Sequence, residues 1–143
     1  MFTATKIFKV PIGHRLSLHK GRCINLHGHN LKIEIEIERG SLNENFMVID
    51  FYDLKRITSE VLDRWDHSLL LNATDAQINY EISKKIENQR TYYFDLGDPT
   101  SENMCFVLYN ILFMKFKDFD KELRLKSITI WESDESKATY MVD

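Results

Sequence analysis

Residues 31–38 alternate strictly between apolar and charged side chains. The apolar members are Leu31, Ile33, Ile35 and Ile37. A period of two residues is typical of a β-strand with one face in the core and the other in water, and it does not fit a helix. The chain is therefore expected to contain a half-buried strand here, with the charged residues, including Glu38, on its solvent face.

Two histidines continue the apolar parity of this strand towards the N-terminus. They are His27 and His29, and Gly28 separates them. Side chains two residues apart in a strand point to the same face, about 6.5–7 Å apart. A single buried histidine is more often a hydrogen-bonded core residue. A buried pair, however, needs partners for its ring nitrogens, and a divalent cation satisfies both rings at once, so the pair indicates a metal site.

A third histidine comes from the first strand of the chain. Residues 2–16 have apolar side chains at most even positions, which predicts a strand with His14 on its inward parity. The polar segment 17–22 then turns the chain, so the next strand can run back and bring the three histidines together. Three neutral imidazoles with an open fourth position are typical of a catalytic zinc rather than a structural one. His19 lies in the turn and is interpreted as a solvated side chain.

A helix is predicted after residues 47–49, which are interpreted as a strand end. Asp50 can cap it, and apolar residues at helical spacing continue to Trp65. This helix carries Asp66 and His67 at its C-terminal end, where the carboxylate could orient the imidazole for proton transfer. The alternative is a solvated polar pair at a helix end, where a cationic histidine is favoured in any case.

The C-terminal half is predicted to contain a second long helix and a strand. Thr100 or Ser101 can cap the helix, and Cys105 beside its apolar face is interpreted as a small core residue. In the strand predicted over 125–133, Glu132 shares the parity of the apolar residues, so its carboxylate points towards the core side. An inward-leaning acid at a sheet edge is the alternative.

Two further segments are predicted without any chemistry. Residues 73–98 are expected to contain a charged helix around 78–89 and a short aromatic segment over 91–94. A last strand is expected over 138–142. No functional role is assigned to any residue of the 73–98 segment.

Length and charge restrict the kinds of protein that this chain can be. A chain of 143 residues fits one domain, 1–143. A net charge of −3 does not suggest a nucleic-acid or membrane partner. The N-terminus has no apolar signal core and no apolar run reaches membrane length, so we expect a cytoplasmic protein. Cys23 and Cys105 give no disulfide framework and are expected to be reduced.

Six segments together resemble a known family. In chain order they are 13–16 for a first zinc histidine, 23–29 for C-x-x-x-H-G-H, 47–51 for M-V-x-D-F, 62–72 for L-D-H-x-x-L-N, 99–103 for P-T-x-E-N, and 131–132 for a late V-x-E strand. The chain resembles the 6-pyruvoyltetrahydropterin synthase superfamily, and within it the bacterial 6-carboxytetrahydropterin synthases of queuosine biosynthesis. It departs from the family pattern at two places. Residues 11–13 stand where the family commonly has small residues, and Phe46 stands where it usually has a glycine.

The resemblance implies a set of site residues and an assembly. They are His14, His27 and His29 for zinc (Zn²⁺), Cys23 as general base, Asp66 and His67 as its proton-relay partners, and Glu132 as the pterin anchor. A carboxylate suits the last role because it accepts two parallel hydrogen bonds from an aminopyrimidinone edge. The implied fold is an α+β tunnelling fold, a four-stranded antiparallel sheet with two helices on one face. Its trimers would pair into homo-hexamers with active sites between subunits.

The resemblance also implies an activity. A zinc-dependent lyase would convert 7,8-dihydroneopterin triphosphate to 6-carboxytetrahydropterin, acetaldehyde and triphosphate. Three alternatives stay open: a 6-pyruvoyltetrahydropterin synthase that only eliminates triphosphate, a non-catalytic zinc- or pterin-binding homologue, and a related pterin or purine enzyme of the same fold that acts directly on GTP.

Overall fold

Two long N-terminal strands form the hairpin on which the rest of the sheet is built. The computed structural model describes residues 1–143. Strands β1 (Phe2–His14) and β2 (His27–Arg39) pair antiparallel over their whole length, with Phe2 opposite Arg39 and His14 opposite His27. The apolar side chains that the alternation predicts to be inward are buried on β2, and burial on β1 increases towards His14. Both predicted strands are therefore confirmed.

Four more strands and three helices complete the chain. The strands are β3 (Ser68–Asn72), β4 (Thr91–Phe94), β5 (Arg124–Ser133) and β6 (Ser136–Met141), and the helices are α1 (Phe51–Leu62), α2 (Ala76–Lys85) and α3 (Ser101–Phe119). The strand order is β4-β3-β1-β2-β5-β6. The antiparallel part, β1-β2-β5-β6, corresponds to the predicted four-stranded sheet, and β3 and β4 extend it in parallel with β1. The α+β class is confirmed, in a six-stranded mixed sheet.

Helices α1 and α3 contact each other and cover the apolar face of the sheet. Both predicted helix starts are confirmed: Asp50 accepts the backbone N–H of Tyr52 at 2.8 Å, and Thr100 accepts that of Asn103 at 3.1 Å.

Cys105 is fully buried in the core between α3 and the sheet, as predicted, and burial raises the pKa of its thiol to about 11. None of the helices combines the length and the apolar character needed to cross a bilayer.

The predicted strand end at residues 47–49 is wrong. The side-chain carbonyl of Asn43 accepts the backbone N–H groups of Asn45 and Met47 at 2.9 and 3.0 Å, which folds this segment into a turn. Val48 and Ile49 still reach the core, but as loop residues. The apolar run that suggested a strand therefore reflects burial alone.

The predicted solvent exposure of Glu38 is also wrong, since only 4% of it is accessible. The pairing register of β2 with β5 shifts between Glu36 and Ile37, which breaks the strict alternation at the end of the strand. Arg124 of β5 lies directly opposite Glu38 and forms an ion pair with it. This cross-strand partner compensates the carboxylate for its loss of water.

Three strand edges remain without a partner, one of them the outer edge of β4. β1 pairs with β3 only over Ile12–His14, so the same edge is free along the earlier part of β1. β6 is the last strand of the sheet at the other end. Unpaired edges expose backbone donors and acceptors that can pair with another chain.

Candidate metal centre

Three histidine rings meet on the core face at one end of the hairpin. His14 ends β1, and His27 and His29 begin β2, so the antiparallel register brings the three rings together. The ring centroids are 4.5–5.0 Å apart, and one ring nitrogen of each lies within 4.8 Å of the others. These residues could hold a metal ion.

Hydrogen bonds to backbone carbonyls fix which nitrogen carries the proton in two of the rings. Nδ1 of His14 lies 2.9 Å from the Pro99 carbonyl, and Nδ1 of His27 lies 2.7 Å from the Asn25 carbonyl. A carbonyl only accepts, so each Nδ1 is the donor and each Nε2 of a neutral ring carries a lone pair. Such outer hydrogen bonds are typical of metal-bound histidines.

The two Nε2 atoms face each other across 3.0 Å. Two lone pairs at that distance repel, so either a proton on one Nε2 or a metal cation bound by both would stabilise the arrangement. His29 adds a third nitrogen, because its Nε2 is buried and has no hydrogen-bond partner. Three imidazole nitrogens without other partners match the donor set that zinc takes in catalytic sites.

The burial of His14 favours the neutral form that binds metals. Its side chain is fully inaccessible, and this burial lowers the pKa of His14 below its ordinary value, although the hydrogen bond to Pro99 opposes the shift. Protons therefore compete weakly with a metal for this ring at neutral pH.

Glu132 lies beside the centre, as its strand parity predicts. Its Oε2 is 3.8 Å from Nε2 of His29, too far for a hydrogen bond, and its side chain is 27% exposed. The carboxylate is thus close to the histidines and still open to a ligand.

Cys23 lies on the loop that joins the two histidine-bearing strand ends. It belongs to a single 3₁₀ turn, Arg22–Ile24, and is half-buried. The backbone N–H of Leu16 donates to the Cys23 carbonyl at 3.0 Å and closes the base of this loop. Its thiol has no hydrogen bond to Asp66 or His67 within the chain.

Asp66 and His67 form a hydrogen-bonded pair that is separate from the three histidines. Asp66 Oδ1 is 2.5 Å from Nδ1 of His67, whose side chain is 79% exposed. The backbone N–H of His67 donates to the carbonyl of Pro11. Pro11 precedes His14 by three residues, so the two residues are about 10 Å apart along β1. α1 ends at Leu62, so the pair follows a turn after the helix, and His67 has a left-handed backbone with φ 57°.

The sequence analysis missed one buried polar residue near the centre, Asp98. Its carboxylate accepts hydrogen bonds from the Ser17 hydroxyl at 2.5 Å, the Leu18 N–H at 2.8 Å and the Asn72 amide at 3.1 Å. Burial alone would raise the pKa of Asp98, but these hydrogen bonds outweigh it and lower the pKa. The only signal in the sequence is an acid two residues before Thr100, the cap of α3.

The two cysteines should differ strongly in reactivity. Cys23 lies in a half-exposed turn, whereas Cys105 is fully buried with a pKa of about 11. We expect a disulfide reagent such as DTNB to label one thiol rapidly at pH 8 and the second only after denaturation. Cys23→Ala should remove the rapid phase. Two rapid phases in the folded protein would contradict this assignment.

Known proteins resemble this chain over nearly its whole length. A family model described as 6-pyruvoyl tetrahydropterin synthase matches residues 3–143. A Rickettsia typhi protein named 6-carboxy-5,6,7,8-tetrahydropterin synthase is 34% identical over 137 residues, covering 93% of this chain and 95% of its own length. A Haemophilus influenzae protein of the same name is 35% identical over 151 residues, covering 98% and 99%.

Solved structures show the same fold. An uncharacterized protein of Wolinella succinogenes superposes with a TM-score of 0.82 at 18% identity, covering 99% of this chain and 98% of that one. The 6-pyruvoyl tetrahydropterin synthase of Caenorhabditis elegans superposes with a TM-score of 0.67 at 26% identity, covering 99% and 96%. The predicted tunnelling fold is thereby confirmed.

Proposed function

Because the chain belongs to the 6-pyruvoyl tetrahydropterin synthase family, we propose that it is a zinc-dependent 6-carboxytetrahydropterin synthase. It would convert 7,8-dihydroneopterin triphosphate and water to 6-carboxy-5,6,7,8-tetrahydropterin, acetaldehyde and triphosphate. Relatives at 34–35% identity over nearly the whole chain carry the name of this activity. The proposal includes a cytoplasmic location and a role in queuosine biosynthesis, as the resemblance implies.

The observation that carries the proposal is the pair of Nε2 atoms facing each other at 3.0 Å with a third, unpartnered nitrogen beside them. His14, His27 and His29 would hold the zinc. Zinc bound there would supply a Lewis acid that lowers the pKa of the substrate's side-chain hydroxyls and polarises a developing carbonyl.

Glu132 would bind the pterin ring. Its carboxylate can accept two parallel hydrogen bonds from the N–H groups of the aminopyrimidinone edge. Because Glu132 Oε2 lies 3.8 Å from Nε2 of His29, a pterin bound by Glu132 would lie next to the three histidines. The partial exposure of Glu132 leaves room for this ligand.

Cys23 and His67 would move protons at the substrate's side-chain carbons. The Cys23 thiol would act as general base from the loop that joins β1 and β2. In His67, Nδ1 donates to Asp66, so Nε2 is free to take or return a proton. The exposed ring of His67 is directed away from its own chain's core.

The exposure of His67 supports the proposal that each active site lies between two subunits. Cys23 and His67 share no hydrogen bond within one chain, whereas His67 is open to a neighbour. The free edges of β1 and β6 are different surfaces, and pairing one with the other on the next copy gives a head-to-tail contact that can close into a ring. We therefore propose trimers that pair into homo-hexamers.

Product identification tests the proposal. Zinc-loaded protein is incubated with 7,8-dihydroneopterin triphosphate, and the pterin product is identified by mass spectrometry while acetaldehyde is assayed separately. We expect the 6-carboxy product with acetaldehyde in equal amounts. Cys23→Ala should lose the reaction, and Cys105→Ala is the matched thiol control that should keep it.

The other outcomes separate the alternatives. A 6-pyruvoyl product without acetaldehyde would mean that the enzyme stops after eliminating triphosphate. Unchanged substrate, with zinc and pterin still bound, would leave a binding protein and refute the catalytic proposal. Turnover of GTP in place of the pterin would identify a different reaction of the same fold.

A further inference from the structure

We infer that Asp98 is a positioning residue that holds the metal histidine His14 and the Cys23 loop in a fixed relation to each other. The inference rests on the proposed roles of His14 and Cys23. Asp98 is 8% exposed, and no arginine, lysine or histidine contacts its carboxylate. Its charge is compensated by hydrogen bonds from the adjacent residues Ser17 and Leu18 and from Asn72.

The first connection runs through the backbone to His14. Pro99 follows Asp98 directly, and its carbonyl accepts the hydrogen bond from Nδ1 of His14. The Asp98 carbonyl in turn accepts the Thr100 N–H at 2.8 Å and the Asn103 amide at 2.9 Å. The peptide that fixes the tautomer of His14 is thus held on both sides, by the buried carboxylate and by the start of α3.

The second connection runs to the Cys23 loop. The Ser17 hydroxyl and the Leu18 N–H, which both donate to Asp98, belong to the first residues of that loop. The backbone hydrogen bond from Leu16 to Cys23 closes the loop one residue earlier. Asp98 therefore holds the segment that determines where the Cys23 thiol lies relative to the histidines.

The third connection runs to Asn72, the last residue of β3. Its side-chain oxygen accepts the N–H and the hydroxyl of Thr74 at 2.9 and 2.8 Å, so its amide nitrogen must be the group that faces Asp98. The orientation of Asn72 is therefore fixed. The Ser17 hydroxyl, the Leu18 N–H and the Asn72 amide all donate to Asp98. If an asparagine replaced Asp98, its NH₂ group would face one of these donors instead of accepting from it.

This pattern permits a rescue experiment. Asp98→Asn keeps the shape but places an NH₂ group against the NH₂ group of Asn72. Combining it with Asn72→Asp exchanges donor and acceptor, while the Thr74 hydrogen bonds and the Leu18 hydrogen bond can persist, and the Ser17 hydroxyl can accept instead of donating. Asp95→Asn is the matched control, since Asp95 is exposed and lies in the same segment.

Two readouts need neither substrate nor turnover: zinc affinity by chelator competition, and the rate of DTNB labelling of Cys23. For Asp98→Asn we expect zinc affinity to fall about tenfold, the lower end of what outer hydrogen-bond partners of a ligand contribute. We expect Cys23 labelling to accelerate several-fold because its loop is released. The double variant should recover both values, and Asp95→Asn should change neither.

Other results would overturn the inference. Zinc affinity and labelling rate that stay unchanged in Asp98→Asn, with only a lower unfolding midpoint, would reduce Asp98 to a structural residue. A double variant whose zinc affinity and labelling rate stay as altered as in Asp98→Asn would also refute the positioning role of Asp98. If Asp98→Asn does not fold, Ser17→Ala removes one hydrogen bond to the carboxylate, and unchanged Cys23 labelling there would refute the connection.

The inference and the proposed function fail in different ways. Wild-type protein that binds no zinc would contradict the metal site itself. If the wild-type protein binds zinc and the Asp98→Asn variant binds it equally well, only the role of Asp98 is contradicted.

Discussion

Replacing His27 with alanine is expected to remove zinc from the protein and to lower kcat/KM by at least about 10³-fold, because a Lewis-acid metal contributes several kcal/mol to transition-state stabilisation. His27 is a better test than His14 because His14 is fully buried, so its loss would also leave a cavity in the core. The expected cause is the loss of one of three imidazole ligands. Metal content is measured by atomic emission, alongside the product assay.

The matched control for this variant is His19→Ala. His19 lies on the exposed loop, and its Nδ1 accepts only the nearby Gly21 N–H. We expect this variant to keep both zinc and activity. Stripping the wild-type protein with a chelator should reproduce the loss seen in His27→Ala, and adding zinc should restore activity only to the wild-type protein. One bound zinc per chain in His27→Ala would refute the three-histidine site.

Mixing two inactive variants is expected to restore activity. Cys23→Ala and His67→Ala should each lower kcat by about 10²–10⁴-fold, the range of a positioned acid or base. If the two residues that form a site come from different subunits, random hexamers refolded from an equal mixture contain about one quarter intact sites, because each subunit of a heterologous contact is drawn independently. The recovered rate should therefore approach one quarter of the wild-type rate.

The control mixture is Asp66→Ala with His67→Ala. Both changes lie on the same side of the contact, so no combination of subunits contains an intact Asp66–His67 pair, and the mixture should remain inactive. If the mixture of Cys23→Ala and His67→Ala also remained inactive after verified subunit exchange, the complete site would belong to a single chain.

The parts of this structure that could be predicted are those in which neighbouring residues carry the signal. Parity placed His27 and His29 on the core face, and local capping chemistry predicted the helix starts at Asp50 and Thr100. Three consecutive leucines give no alternation, so β3, which is buried on both faces, could not be recognised as a strand from its own residues.

Other features depend on distant residues. The burial of Glu38 depends on a register shift and on Arg124, 86 residues away in the chain. The position of Asp98 depends on Ser17, which is 81 residues away. Neither partner is marked in the sequence by any local pattern, because polar residues acquire buried partners only when the chain is folded.

The register of the β1–β2 hairpin would give a bound metal a further role in folding, because the metal would favour the correctly paired strands. His14 and His27 are opposite each other only in the native pairing. A slip of one residue would send the side chains of one strand to the other face and separate the two rings. A metal that needs both rings would therefore select the correctly aligned hairpin from its misaligned competitors and lock it in place.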